Sequence, residues 1–207
     1  MQTAEKIEET PPTKHELIVA AARKLFASDG FGTVSMDSIA AEAGVSKRTV
    51  YSHFDNKESL FAEVMGEMCR ELGGPDLDSA PPVEPPEVIL NAVGRMILDR
   101  ILSPLGCTVL RTVLAESAQF PELGETFWNE GPGRVTRYVS DYLAGLGGRG
   151  GLLVPDPDLA ALQFIGIVTG PYLLPRLLGV AAAPSEAELD QALDYAVSTF
   201  LDGLRPR

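Results

Sequence analysis

At 207 residues the chain has room for one large domain or two small ones. Hydrophobic residues make up 45% and charged residues 22%, a globular composition that excludes a low-complexity chain. The formal net charge of −12 is an unusual sign for a nucleic-acid binder, but it is unevenly spread: Thr13 to Lys57 carries six Lys/Arg against five Asp/Glu, whereas the chain after Gly73 carries nine Arg and no Lys against seventeen Asp/Glu. A body repelled by phosphate weakens non-specific DNA binding and leaves a small basic face to set orientation.

The opening MQTAEKIEETPP is polar and acidic, unlike a secretory signal, and residues 1–12 read as a disordered lead-in. A first helix is expected from about Thr13 to Ser28, with Leu17, Ile18, Ala21, Ala22, Leu25 and Phe26 on one apolar face. Asp29-Gly30 ends it, and Phe31 plugs the core behind it. The stretch TVSMDSIAAEAGVSKRTVYSHF, Thr33 to Phe54, then reads as two short helices around a tight turn. Ser35 is a good N-cap for the first, with Ile39 and Ala40 facing inward. Gly44 supplies the positive φ that closes a helix at little steric cost, and Val45 is the apolar plug of the turn. Ser46 caps the second helix, Lys47 to His53, whose inner side is Val50 and Phe54. Its outer side is Lys47, Arg48, Thr49, Tyr51 and His53, all hydrogen-bond donors. A short donor-faced helix after a glycine turn is the helix-turn-helix signature.

The run AEAGVSKRTVYSHFDNKESLF, Ala41 to Phe61, resembles the TetR family of bacterial transcriptional regulators at nearly every position and without a gap. The resemblance implies an all-α fold of about nine helices: an N-terminal three-helix DNA-binding head, a long fourth helix, and a larger helical domain that dimerises and usually binds a small molecule. On that basis residues 13–57 are the DNA-binding head, 58–86 the connecting helix and linker, and 87–207 the ligand-binding and dimerisation domain. Lys47 and Arg48 open the helix that meets base edges, and Arg48 is expected to read a guanine. Thr49, Tyr51, His53 and Lys57 match family positions that hold phosphates. Ser35 adds a helix-cap contact, and Ser46 at the cap of the recognition helix is counted with them.

After Asp55-Asn56, Lys57 opens a fourth helix in which Leu60, Phe61, Val64, Met65, Met68, Cys69 and Leu72 form a stripe. Gly73 to Pro86 is too rich in Gly and Pro for a helix interior and reads as a linker. A fifth helix is expected from Glu87 to Leu102 on Ile89, Val93, Met96, Ile97 and Ile101. A sixth starts at Pro104 and reaches about Phe120 on Leu105, Val109, Val113 and Leu114. Beginning inside it, Arg111 to Trp128 more weakly resembles the ligand-domain segment of one TetR subgroup. Pro121 restarts a short helix carrying Phe127 and Trp128, and Gly131 to Leu146 makes another, ended by GGRGG.

Pro155 to Leu178 is the most apolar stretch, with no charge from Leu159 to Pro175. Gln163, the Gly166, Gly170-Pro171 and Pro175 breaks and the lack of basic flanks make it a poor membrane span. A helix apolar all round is buried on two sides, here by its own domain and by a second subunit. Pro171 and Pro175 are expected to kink it. Ser185 caps a last helix with Leu189, Leu193, Ala196, Val197, Phe200, Leu201 and Leu204 as its stripe. The resemblance implies that the last two long helices form the dimer interface, with Leu193, Val197, Phe200 and Leu201 as its contacts.

Catalytic chemistry has little to build on: two histidines, scattered carboxylates, and none of the common nucleophile, P-loop or zinc motifs. No catalytic residue, metal or cofactor is expected. Cys69 and Cys107 read as buried thiols of a reducing compartment, in keeping with a cytoplasmic protein. Met96, Val113, Phe127, Trp128, Phe164 and Tyr172 come from four helical segments. Each alone reads as plain core, but together with the resemblance they imply a pocket, with Gln163, Thr169 and Tyr172 as its polar groups and a neutral or weakly polar hydrophobic ligand. The leading reading is a homodimeric regulator, a repressor, that binds a pseudo-palindromic operator and is released by a small hydrophobic ligand. The alternative is a helical small-molecule carrier or protein-interaction module without operator binding.

Overall fold

In a computed structural model of the chain, residues 11–71, 76–79, 83–146 and 151–206 are described, residues 68–71 by their backbone alone. Residues 1–10 of the lead-in, residues 73–75 and 80–82 of the 73–86 linker, the side chains of Met68 and Cys69, Leu72 and residues 147–150 lie outside the described residues. Those described form ten helices and no strand: α1 Lys14–Asp29, α2 Met36–Glu42, α3 Lys47–His53, α4 Lys57–Glu71, α5 Pro86–Leu102, α6 Pro104–Glu116, α7 Pro121–Glu130, α8 Pro132–Leu146, α9 Pro157–Leu177 and α10 Glu186–Gly203. Two units result, residues 1–64 and 65–207, and the division falls within α4, between Val64 and Met65.

The starts of the helices are written locally. Thr13 and Ser185 each form a reciprocal capping box, with Glu16 and Glu188. Ser35, Ser46, Ser103 and Asp156 cap α2, α3, α6 and α9. Helices α5, α6, α7 and α9 carry Pro in the first turn, where its missing N–H costs nothing. Proline also explains why α6 stops at Glu116 rather than near Phe120. The residue before a proline is pushed out of helical conformation, and Phe120 sits at φ −125°, ψ 78°.

In the head, α1 packs on both α2 and α3. Ile18, Val19, Ile39, Val50 and Leu60 are fully buried, and the rings of Phe26, Phe31 and Phe61 meet with centroids 5.5–5.6 Å apart. Val19 lies outside the predicted stripe because α1 is covered on two sides.

In the body, α5 packs against α6, α9 and α10, and α8 lies along α7 and α9. Gly94 lets α5 approach α10: a Cβ there would stand 2.4 Å from Cδ1 of Leu193. At the rim of this contact Arg95 donates to Asp99 on its own helix and to Asp190 on α10. Arg111 closes the end of α9 by donating to the carbonyls of Arg176 and Leu177. Leu114 is 61% exposed and does not belong to the α6 core face assigned to it.

Helix α9 has three faces. Ala160, Ala161, Phe164 and Val168 are buried in the core, and Phe164 stacks on Phe200 of α10 at 5.3 Å. Ile165, Thr169 and Leu173, four residues apart, line a cavity. Leu159, Leu162, Ile167 and Leu174 point outward, exposed by 39–63%. The helix runs on through Pro171 and Pro175. Those two positions lack N–H donors for the carbonyls of Ile167 and Pro171, one above the other on the outward side. By length and mean hydropathy of 1.2, α9 is apolar enough to cross a membrane, but its core face is occupied by the body's own helices.

The interface residues assigned to α10 need correction. Leu193, Val197, Phe200 and Leu201 are only 2–5% exposed and sit in the body's own core. A stripe at helical spacing marks the face a helix buries, and the nearest apolar partner here is the same chain. The side of α10 left to solvent carries Tyr195, 74% exposed.

Candidate nucleic-acid interface and ligand cavity

Two short helices and a glycine turn build the outer surface of the head. The Ser35 hydroxyl accepts from the Ser38 amide at 3.1 Å, while the Ser38 hydroxyl oxygen accepts from the Ser35 amide at 3.0 Å. Gly44 adopts φ 64° and Val45 is half-buried beneath the turn. Ser46 accepts from the Thr49 amide at 3.1 Å, and the two hydroxyls lie 2.8 Å apart. With Val50 and Phe54 buried, Lys47, Arg48, Tyr51 and His53 are left exposed and Thr49 half-buried.

These donors are not equivalent. Lys47 is held by Asp37 of α2, Nζ to Oδ1 2.7 Å. The hydrogen bond to that carboxylate, then its charge, raise the lysine's pKa, so its cationic form is kept at any physiological pH. Arg48 has no ion pair or hydrogen bond among the described residues. The His53 ring stands edge-on to His15 of α1 at 5.9 Å, and His15 packs on Phe54 at 5.3 Å. Lys57 points inward. Its ammonium donates to the carbonyls of Phe31 (2.6 Å) and Val34 (3.0 Å) and lies 4.2 Å from the centre of the Phe31 ring.

The body forms a partly open cavity of about 260 Å³, just below the ~300–1,000 Å³ usual for small-molecule sites. Its walls come from α4 to α9: Met65, Met96, Ile97 and Ile101, Val109 and Leu110, Phe127, Val135, and the 165-169-173 face of α9. Gly106 completes the wall where α6 turns back on α5: a Cβ there would stand 1.9 Å from the Arg100 carbonyl oxygen. Polar chemistry is sparse. Thr169 lines the cavity, but its hydroxyl donates to Ile165 O at 2.8 Å. Arg100 is the only charged side chain among the described residues that line it.

Residues 18–64 match the family model of bacterial regulatory proteins of the tetR family. Residues 88–203 match the model described as the AefR-like transcriptional repressor, C-terminal domain. The chain belongs to the TetR family. Among solved structures it is similar to the flavonoid-responsive regulator FrrA, with 31% identity, a TM-score of 0.75, and coverage of 94% of this chain and 98% of FrrA. It is also similar to a TetR-family transcriptional regulator from Mesorhizobium loti MAFF303099, with 27% identity, a TM-score of 0.74, and coverage of 92% and 96%. YhgD of Bacillus subtilis (strain 168), an uncharacterized HTH-type transcriptional regulator, is 39% identical over 59 residues, 28% of this chain and 31% of YhgD. The matched stretch is thus under a third of that relative's length. TetR proteins are DNA-binding transcriptional regulators, a non-enzymatic class, and the chain shares that class.

The TetR head brings Ser35, Ser46, Lys47, Arg48, Thr49, Tyr51 and His53 to one outer surface, whereas the ammonium of Lys57 faces the α1–α2 connection. Asp37 and His15, which hold or touch recognition-helix residues, were not singled out from sequence. Lys47 and Asp37 are ten residues apart, a pairing no helical spacing announces. In the TetR body, Met96, Phe127 and Thr169 of the eight predicted ligand residues line the cavity. Val113 is buried outside it, Phe164 lies on the core face of α9, and Tyr172 is half-buried against the core. Gln163 is exposed, and so is Trp128, at 50%. Arg100 carried a readable signal that was passed over: it sits three and four residues after Ile97 and Met96, a charge on an apolar stripe.

Proposed function

We propose that this TetR regulator is a cytoplasmic repressor that binds a pseudo-palindromic operator as a homodimer and leaves it when a small hydrophobic ligand fills the body cavity. The observation that carries the reading is the recognition helix, whose donor side is exposed while Val50 and Phe54 anchor it from behind. Arg48 reads a guanine edge in the major groove, with Lys47 beside it. Ser35, Ser46, Thr49, Tyr51 and His53 hold phosphates, which fix position rather than sequence. Lys57 acts at one remove, by tying the start of α4 to the 31–34 loop.

One head offers too few base contacts for useful specificity, so two heads read half-sites about one helical turn, ~34–36 Å, or slightly more apart. The dimer surface is the outward side of α9, Leu159, Leu162, Ile167 and Leu174, joined by Tyr195 of α10. Apolar side chains this exposed and this close together favour burial by a second copy. Signal transfer runs along α4, a single helix with Phe61 and Val64 in the head core and Met65 in the cavity wall. The responsiveness of FrrA to flavonoids supports an aromatic effector of similar kind.

Fluorescence anisotropy with the duplex upstream of the protein's own gene tests the reading, followed by footprinting on genomic DNA to find the site. Saturable, salt-sensitive binding to a two-fold symmetric site is expected. Binding that is the same for any duplex, or none at all, would return the protein to a carrier or protein-interaction role.

A further inference from the structure

The helix-turn-helix spends most of its charge on itself. Besides His53, α2 and α3 together carry two basic side chains, Lys47 and Arg48, and two carboxylates, Asp37 and Glu42. Glu42 is paired with Lys24 of α1. Nζ of Lys47 lies 2.7 Å from Oδ1 and 2.9 Å from Oδ2 of Asp37, and 5.9 Å from the centre of the Tyr51 ring one turn along its own helix. The two side chains of the pair are 59% and 61% exposed, and an ion pair this open to water contributes little to folding. Its consequence lies in binding. A lysine that leaves a carboxylate for a phosphate only exchanges one anion for another, and strands Asp37 beside the like charge of the duplex. A base acceptor makes no such demand. An ammonium has three donors, the oxygens of Asp37 take two at most, and one remains for guanine O6 or N7.

Resting on the reading of this surface as the DNA interface, we infer that Asp37 determines specificity: it keeps Lys47 from acting as a phosphate contact and leaves its remaining donor for a base edge beside Arg48. Every duplex offers phosphates, so an untied lysine adds about equally to right and wrong sites. A lysine tied to a carboxylate is worth little on a wrong site and keeps its hydrogen bond on the right one. The net charge of −12 disfavours non-specific binding from a distance, and Asp37 does so at contact. Removing the charge of Asp37 therefore strengthens binding to the wrong DNA, the opposite of losing a contact residue.

The test uses the full-length protein and two labelled duplexes of equal length and composition, the footprinted operator and a scrambled sequence. Affinity is read by anisotropy across a salt series of about 50 to 200 mM. Asp37→Asn should bind the scrambled duplex several-fold more tightly and steepen log K against log salt by about 0.9 per head, and the operator-to-scrambled affinity ratio should fall at least about threefold. Asp37→Glu, which keeps the charge, should stay near wild type. The double variant Asp37→Asn/Lys47→Met is neutral like the wild-type pair. It should return the salt slope and the scrambled-duplex affinity to wild type, while its operator affinity stays lower for want of the base-edge donor. Asp202→Asn makes the same charge change at the exposed Asp202–Arg205 pair in the body and should leave the slope unchanged. All the substituted side chains are exposed, so melting curves should match wild type. Unchanged or weaker binding of Asp37→Asn to the scrambled duplex, an equal shift from Asp202→Asn, or a wild-type slope steeper than the double variant's by a full charge per head would each overturn the inference while leaving DNA binding intact. If footprinting yields no site, or the wild-type protein binds neither duplex, the DNA-binding reading falls and this inference with it.

Discussion

The head and the body are both held by apolar helix faces, but they keep their polar chemistry on opposite sides. In the head, the side chains that meet a partner point outward from a seven-residue helix, and the apolar ones behind them only hold it in place. In the body, Arg100 is the one charged side chain among the described residues that line the cavity, its neighbours there are apolar, and the outward surface of α9 is itself apolar. Losing an outward donor in the head costs binding and little stability, whereas nearly every change to a body helix also affects packing. Substitutions that separate binding from folding are therefore easy to find in the head and must be chosen face by face in the body.

The largest effect should come from charging the wrong face of α10. Val197→Asp or Leu201→Asp places an unpaired carboxylate among residues 2–3% exposed and should cost more than about 4 kcal/mol, enough to lose the body's fold. Ile167→Asp or Leu162→Asp on the outer face of α9 should keep the helical circular dichroism signal and its melting temperature per protomer, yet sediment as a monomer. If the α10 variants remained folded monomers and the α9 variants remained dimers, the assignment of faces would be reversed.

Next come the two basic residues on which head and core roles divide. Arg48→Ala should weaken operator binding by ~1–3 kcal/mol and relax one base position, with stability unchanged within about 0.5 kcal/mol. Lys57→Met should do the reverse. It removes charge-assisted hydrogen bonds to two carbonyls, about 1.5 kcal/mol of head stability after allowance for its partial exposure, visible as faster amide exchange in residues 31–34. Should Lys57→Met instead leave stability alone and flatten the salt dependence by one charge, Lys57 is a phosphate contact after all.

The smallest effect is acid fraying at two helix starts, one in each unit. Hydrogen bonds from the backbone and hydroxyl of Thr13 hold Glu16 below its ordinary value of 4.5, and those from Ser185 do the same for Glu188. A carboxylate with a depressed folded-state pKa stabilises fully above its unfolded value and loses that contribution as pH falls through the lower one. The first turns of α1 and α10 should therefore lose exchange protection below about pH 4.5. Thr13→Ala and Ser185→Ala should already be frayed at neutral pH and show little further change.

The same contrast decides how much was readable in the chain. Thr13, Ser35, Ser46, Asp156 and Ser185 cap helices through bonds to residues three positions on, and a window of a few residues contains both partners. The recognition helix was legible for the same reason: its inner and outer sides are set by the 3.6 period and by Gly44 alone. The cavity was not, because α9 divides its apolar residues among three environments. Phe164 and Ile165 are adjacent and both apolar, yet one is core and the other cavity wall, and only the neighbours α5, α6 and α10 decide which. The same ambiguity sent Leu193 and Val197 to an interface when they belong to the core. The inward bonds of Lys57 were hidden on a different ground: its position on α4 suits a phosphate, and the carbonyls of Phe31 and Val34 lie more than twenty residues away in sequence.

The central claim is that the outward chemistry of the head and the inward chemistry of the body are coupled. The most direct measurement is calorimetric titration of a flavonoid, once one is found to bind, into the free protein and into the protein saturated with its footprinted operator, together with operator affinity at saturating flavonoid. Coupling is reciprocal, so the flavonoid should lower operator affinity and operator should lower flavonoid affinity by the same factor, of order 5–150-fold. A flavonoid that binds the free and operator-bound protein equally well would mean a cavity filled without a switch, and would contradict the account.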